Sequence, residues 1–536
     1  MKSADLKFQN KRVVLFIPGG IDYPVYLYIA SILESCEASN AQLILVDVYD
    51  LESTVRRLNE KIFHKKGKLQ FRRQIFEIFE TQYCNNVLIE RLRTKKYLIK
   101  KPRIPFFGFL TSLHYIKPEE YFATRSALAT KFSRTWRPDY RIFFLRNRIA
   151  NYLVDFRSSY ALANNFIERY APQLVIFFNG RHPSQAGIRV AVEEKKLDFF
   201  TIENGFPANT GRFHFENFQI QELKKMQYKF IQERLSWSDE DYESYRCIAR
   251  DWLTKQSSNK IQNPFIMDSN FSNKYSDLLS MNNLAVIFSS SVDETINNLG
   301  HFMNGWQSQG AAIAASAKVL NDSGYRTVVR IHPNSMNKAF IDLLDLVKCL
   351  EDQGVEYLLP WEDVNSYVLL NKAKIVGTWD SRIGLEAAAR GIPTFVLSTS
   401  EYDLMAGIPI IDPNCLAKLP RLSEHSFEMD KIYASVYQMH NHGQLVSESS
   451  NRHLLLKIEE LIQTDYSRKE NKRVRVLAAY RVRKVLHFFF FFIPRGRFVT
   501  PLDLYGFLRL FQNKKSAQRQ LQKMTLFFQN CIKADR

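Results

Sequence analysis

The sequence predicts an α/β protein of two doubly wound parallel sheets followed by a basic, aromatic C-terminal tail. Three observations lead there. Short apolar runs ending in polar or glycine turns alternate with helical patterns in two separate series. A polar, irregular stretch, Gly211 to Met281, lies between them and contains the loop-like Ser257-Ser258-Asn259 and Asn270 to Asn273. The formal charge of +19 is concentrated at one end, where Ser467 to Arg536 hold 17 Lys and Arg against 3 acidic residues, leaving the body nearly neutral. These divide the 536 residues into 1–210, 211–281, 282–465 and 466–536.

In chain order, Arg12 to Ile17 (RVVLFI) reads as a strand ending in Pro-Gly-Gly, so Gly19 and Gly20 form a turn where backbone can approach a ligand. A helix from Tyr23 to Leu33 and a strand from Gln42 to Val48 follow. This opening is not a GxGxxG fingerprint, so nicotinamide and flavin cofactors are not expected. Residues 54–150 read as helices and loops on one side of the first domain, their basic residues forming solvated faces or a membrane-facing or polyanion-facing rim. The parallel pattern returns at Leu174 to Phe178, leading into Asn179-Gly180-Arg181, a helix from Ser184 to Glu193 and a strand from Phe199 to Ile202. That strand ends in Glu203-Asn204-Gly205, either a base placed at a cleft or an exposed glutamate beside an Asn-Gly turn.

The second series begins with Leu284 to Phe288, which ends in Ser289-Ser290-Ser291. After a helix at about Gly310 to Leu320, the strand Thr327 to Ile331 ends in His332-Pro333-Asn334, with Arg330 two residues before the histidine. Helices at Phe340 to Leu350 and Val364 to Leu370 flank the short strand Tyr357 to Leu359. Lys374 to Leu397 then forms a strand, a polar turn, a helix closed by Gly391 and Pro393, and another strand. Ligands of parallel sheets bind where strands end and helices begin, since the first helical N–H groups are unpaired. Here Thr378, Asp380 and Ser381 offer a place for a phosphate, and Glu386 a carboxylate for ribose hydroxyls. The alternative for such a turn is an N-cap at Asp380 or Ser381 and a solvated Glu386.

Six widely spaced cysteines form no CxxC pair, which argues against a zinc knuckle or a disulfide framework and for a reducing compartment. The N-terminus lacks a signal-peptide core, and the apolar run Val485 to Ile493 is too short to span a bilayer. In the tail, Lys472 to Phe492 interleaves basic residues with Val, Leu, Tyr and five consecutive Phe, and Leu502 to Phe511 adds further aromatics. The segment suits an anionic membrane surface, or a helix packed on the body. No nucleic-acid motif accompanies it, so nucleic acid is not an expected partner.

Glu203-Asn204-Gly205, His332-Pro333 and Ser381 resemble, in order and in placement at strand ends, three short motifs of bacterial GT-B glycosyltransferases that use CMP-activated sugars. Those motifs are an acidic pair with glycine, a His-Pro and a serine motif. The segments FNGRHP, TIENGF, VVRIHPN and GTWDSRIGLEAAARGIP also resemble capsular and surface polysaccharide biosynthesis proteins, a grouping that includes Kdo-transferase-like enzymes. The resemblance covers roughly residues 170–400. It departs from the pattern at Asn204, where a second acid stands in the family, and in having one serine between Asp380 and Arg382.

The resemblance implies a GT-B-like fold of two Rossmann-type domains facing a cleft, an N-terminal acceptor domain and a C-terminal nucleotide-sugar donor domain. It implies an inverting transferase with Glu203 as general base and His332 on the donor phosphate. Ser289, Ser290, Ser291, Arg330, Thr378, Asp380, Ser381 and Glu386 would bind the donor. Gly19, Gly20, Asn179 and Arg181 are acceptor-side candidates. The expected partners are a nucleotide-sugar donor, a glycolipid or polysaccharide acceptor and the inner face of the cytoplasmic membrane, reached through 467–536. No DxD stands where a metal-dependent fold would place it, so neither a metal nor another cofactor is expected. Two rivals remain open on sequence. One is a CDP-polyol phosphotransferase of teichoic-acid-like polymers; the other is a GT-B-like scaffold without chemistry, which Asn204 favours.

Overall fold

The computed structural model describes residues 8–17, 23–48, 74–79, 81, 87–91, 117–132, 143–204, 211–215, 223–257, 276–290, 303–333, 335, 340–360, 362, 364–424, 426–440 and 444–445. The tail at 466–536 therefore lies outside the described residues, as do Gly19, Gly20 and Ser291.

The first series forms β1 (Arg12–Ile17), α1 (Tyr23–Ala38), β2 (Gln42–Asp47), β3 (Val87–Arg91), α2 (Pro118–Phe132), α3 (Phe143–Tyr170), β4 (Leu174–Phe178), α4 (Pro183–Glu194), β5 (Asp198–Asn204) and β6 (Gly211–Phe215). Next come α5 (Leu223–Arg234) and α6 (Asp239–Ser257). The second series is β7 (Leu284–Phe288), α7 (Gln309–Asp322), β8 (Arg326–Arg330), α8 (Phe340–Asp352), β9 (Glu356–Leu358), α9 (Ser366–Lys372), β10 (Ile375–Thr378), α10 (Ile383–Ala388) and β11 (Thr394–Val396). It is followed by α11 (Asp403–Ala406), α12 (Met429–His440) and β12 (Gln444–Leu445).

Continuous apolar runs become parallel strands covered on both faces. Val13 to Ile17 of β1 and all of β7 are buried accordingly. The first sheet runs β12-β6-β5-β4-β1-β2-β3 and the second β11-β10-β7-β8-β9. In each, the first strand lies inside the sheet, the next two extend to one side, and the chain then crosses to the other. The strand order therefore reverses between β1 and β4 and between β7 and β10. Both pairs are parallel, with Phe16 opposite Phe177 and Thr378 opposite Phe288. Such reversals leave a crevice at the carboxyl ends of the strands, where open α/β sheets bind ligands. This succession of two doubly wound, mostly parallel sheets agrees with the α/β class the sequence predicts for the described residues.

Several elements depart from the sequence reading. Residues 54–150 contain the strand β3, and the described part of 211–281 holds β6, the helices α5 and α6 and a single helical turn at Ser276–Leu279 rather than only irregular chain. β6 pairs antiparallel with β5, and β12 pairs antiparallel with β6, so the first sheet draws strands from beyond residue 210. Helices α5, α6 and α12 join around Phe230 and Tyr245, which are buried among Trp237, Tyr242 and Tyr437. Arg246 clasps Asp430 with bonds of 2.9 and 2.8 Å, tying α6 to α12.

Candidate functional site

At the first sheet's edge, β4 and β5 end together. Phe178 stands opposite Ile202, and the Asn179 N–H donates to Ile202 O at 2.8 Å, which sets Asn179 level with Glu203. Asn179 and Gly180 both take left-handed backbone (φ 60° and 72°), and the Asn179 carboxamide accepts from the Arg181 N–H at 3.1 Å. The chain is thereby turned sharply from β4 into α4, whose N-cap is His182 and whose first residue is Pro183. Glu203 and Asn204 are not in a turn after the strand. They are its last two residues, opposite Arg212 and Gly211 of β6. Antiparallel pairing with β6 extends β5 beyond its apolar run, and that is why the apolar pattern ends before the strand does.

The second sheet's edge collects more of the expected residues. The hydrogen-bonded ladder continues past the strands: the Ser289 N–H donates to Arg330 O and the Trp379 N–H to Phe288 O, both at 3.1 Å. Ser289, 1% exposed, accepts the His332 N–H on its hydroxyl at 2.9 Å and so fixes the start of the His-Pro segment. Across the reversal between β7 and β10, the Asp380 N–H donates to the Ser290 hydroxyl at 3.2 Å. Gln309, at the start of α7, clamps the Ser290 backbone from both sides, accepting from its N–H at 2.7 Å and donating to its carbonyl at 3.3 Å. The N-cap of α10 is Arg382, with no side-chain capping bond, so neither Asp380 nor Ser381 caps it. Among the described residues the half-buried Ser381 hydroxyl makes no hydrogen bond.

Two donor-side expectations change. Arg330 is 1% exposed and its guanidinium donates to Leu359 O at 2.7 Å and Glu362 O at 3.3 Å. It fastens the chain after β9 and is not presented at the sheet edge. The reason is positional, since its neighbour β9 ends level with it, Arg330 opposite Leu358. Glu386 is not solvated: it is 5% exposed and hydrogen-bonded to Tyr367. Burial raises its carboxyl to about 7, against the opposing influence of Tyr367, Arg390 and Arg382.

The raised carboxyl makes a pH-dependent contribution to stability. Below pH about 4.5, its ordinary value, Glu386 is neutral in both folded and unfolded chains. Between there and about 7 only the unfolded chain loses its proton, so this contribution falls as pH rises and then levels off. A shift of this size corresponds to about 3 kcal/mol. Glu386→Gln should flatten that part of the profile, so that wild type loses stability relative to the variant from pH 5 to 7 in chemical denaturation. Parallel profiles would show that Glu386 stays charged.

Sequence reasoning missed Gln309 and Tyr402. The first follows the N-cap Ser308 and carries no other local signal. Tyr402, fully buried with its phenol pushed far up by burial, lies behind the Ser381 turn, a contact made only by the folded sheet. Among the described residues no group of three or more His, Cys, Asp or Glu could hold a metal ion, and no helix is long and apolar enough to cross a membrane.

The fold and its two reversal points define a two-sheet α/β protein whose polar turns gather at strand ends. Residues 207–410 match the family described as capsule polysaccharide biosynthesis protein, and over this segment the chain is similar to that family. The match takes in every described donor-side candidate and begins just after Glu203. Comparison with curated proteins gives no match. Among solved structures, the chain is similar to the KpsC β-Kdo 2,4 transferase of Thermosulfurimonas dismutans, at 12% identity and a TM-score of 0.32, over 54% of this chain and 87% of that one. It is also similar to a glycosyltransferase from Rickettsia africae, at 10% identity, 84% and 99% coverage and a TM-score of 0.28. The UDP-GlcNAc 2-epimerase from Neisseria meningitidis, bound to UDP-GlcNAc, gives 13% identity, 84% and 100% coverage and a TM-score of 0.27.

Proposed function

We propose that the chain is an inverting, metal-independent glycosyltransferase of bacterial surface polysaccharide synthesis, taking its sugar from a CMP-activated donor of the Kdo type. The observation that carries the reading is the Asp380 to Ser290 hydrogen bond across the β7/β10 reversal, one strand from His332 and beside a Ser381 hydroxyl that bonds to none of the described residues. This is the place in an open parallel sheet where a nucleotide phosphate binds. The family match over 207–410 supports it, because that segment contains the whole edge.

In the proposed reaction an acceptor hydroxyl attacks the anomeric carbon as the bond from that carbon to the donor phosphate breaks. Glu203 takes the hydroxyl proton, Ser381 holds the departing phosphate, and His332 hydrogen-bonds or protonates it. The product is a glycosidic bond and a free nucleotide. We place the protein on the inner face of the cytoplasmic membrane, drawn by the basic surplus of 467–536, with a glycolipid or polysaccharide as acceptor.

A thermal-shift screen of the full chain against CMP, CDP, UDP, GDP and dTDP tests the donor. A ligand binding only the folded state stabilises it by about 2.7 kcal/mol at a hundred times its Kd. CMP should raise the Tm, and Ser381→Ala should abolish the rise. A response to UDP or GDP alone would replace the donor, CDP alone would favour transfer of a polyol phosphate, and no response would overturn the reading.

A further inference from the structure

The turn after β10 is braced from behind by one phenol. Tyr402 is 1% exposed; its OH donates to Ser381 O at 2.6 Å and lies 3.4 Å from Thr378 Oγ1. Thr378 opens the turn and Ser381 closes it, so a single hydroxyl engages both ends. The helix that follows is moulded onto the same atom. A Cβ at Gly384 would stand 2.5 Å from the Tyr402 hydroxyl and 3.1 Å from Thr378 Cγ2, so only glycine fits without displacing one of them.

Tyr402 is itself fixed by a buried polar network. The Ser400 hydroxyl accepts from the Asp403 N–H at 2.9 Å and the Tyr402 N–H at 3.4 Å. From α5, the Gln227 carboxamide donates to Ser400 O and to Asp403 Oδ1, each at 3.0 Å, and accepts from the Met405 N–H at 2.9 Å. Gln227, Ser400 and Asp403 are 0%, 0% and 2% exposed. Water cannot replace a bond lost there, so the network holds one arrangement.

We propose that Tyr402 is a positioning residue for the donor phosphate, setting the Thr378–Ser381 turn and with it the Ser381 hydroxyl without touching the ligand. The proposal rests on reading that turn as the phosphate site. Phosphate recognition by a short turn depends on donors held within a few tenths of an ångström, and a turn free to rock would spread them. Tyr402→Phe removes one oxygen and keeps the ring, which isolates the brace from the packing.

The test compares wild type, Tyr402→Phe and Tyr245→Phe in the full chain. Tyr245 is also 1% exposed, and its OH bonds to Asp430 O at 3.4 Å in the cluster between α6 and α12. Calorimetric titration with CMP, CDP, UDP, GDP and dTDP is run well below the Tm of all three, together with thermal unfolding without ligand. The nucleotide that binds wild type should bind Tyr402→Phe about tenfold more weakly and Tyr245→Phe with unchanged Kd. Loss of Tm in Tyr402→Phe with unchanged Kd would make Tyr402 a purely structural residue and overturn the proposal alone. Wild type that binds none of the five would overturn the phosphate-site reading, and this proposal with it. If Tyr402→Phe does not fold, Gly384→Ala, which presses a methyl group on the same hydroxyl, carries the same comparison.

Discussion

Glu203→Gln should lose turnover by a factor of about 10² to 10⁴, the usual contribution of a positioned general base, while binding donor nucleotide with unchanged affinity. The substitution keeps the shape and removes the basicity. Glu203 lies inside the β5 ladder opposite Arg212, so an isosteric change leaves the strand pairing intact and a drop in rate cannot be assigned to a lost edge. The turns proposed to hold the donor belong to the other sheet, which is why affinity should be spared. Turnover is read as nucleotide released from the stabilising donor in the presence of polysaccharide acceptor. A rate within a few-fold of wild type would remove Glu203 from the chemistry and strengthen the scaffold alternative that Asn204 suggests.

Gly187→Ala should be among the most destabilising single-methyl changes in the chain, by about 3 kcal/mol or more. Helices α3 and α4 meet backbone to backbone at this glycine. An added Cβ would stand 2.2 Å from Phe156 O, 2.3 Å from the Ser159 hydroxyl and 3.0 Å from Tyr160 N. Backbone atoms of a 28-residue helix cannot step aside singly, so one helix must shift against the other. Gly324 provides the contrast. It has φ +87° but nothing within 4 Å of an added Cβ, so Gly324→Ala should cost about 1 kcal/mol through backbone strain alone. Denaturant midpoints of the two variants check the ranking, and an unchanged midpoint in Gly187→Ala would mean that the helices do not meet as described.

Strands buried on both faces were legible because burial on both faces requires unbroken apolar runs. RVVLFI, LVIFF and LAVIF identify β1, β4 and β7 almost to the residue. Strands toward the margins of the first sheet were not. VLIER and GRFHF carry charge within five residues, and only their neighbours in the folded sheet make them strands. Helix α6 was hidden for the opposite reason: DEDYESYRCIARDWLTKQS is mostly polar, with its aromatics spaced to meet α5 and α12 rather than a sheet.

The same division runs through the candidate site. Serines and His-Pro after strands have a local signature, and the structure brings Ser289, Ser290, His332, Thr378, Asp380 and Ser381 to one sheet edge. Arg330 looked equivalent because alternation along a strand gives its direction relative to its neighbours but not what awaits it, which here is a pair of carbonyls. Gln227 and Tyr402 lie 173 and 21 residues from the Ser400 and Ser381 carbonyls they bind, a separation at which sequence pattern carries no information.

The pairing of β12 with β6 has a consequence for dissecting the molecule. The chain leaves the first sheet through Gly211–Phe215, builds the entire second sheet, and returns to lie against the same strand, Leu445 opposite Gly211. The second sheet is thus a guest inserted into its host through adjoining entrance and exit strands. Excising it requires two cuts, one between β6 and α5 and one before β12. A single cut leaves the host with a bare antiparallel border whose N–H and C=O groups invite another chain.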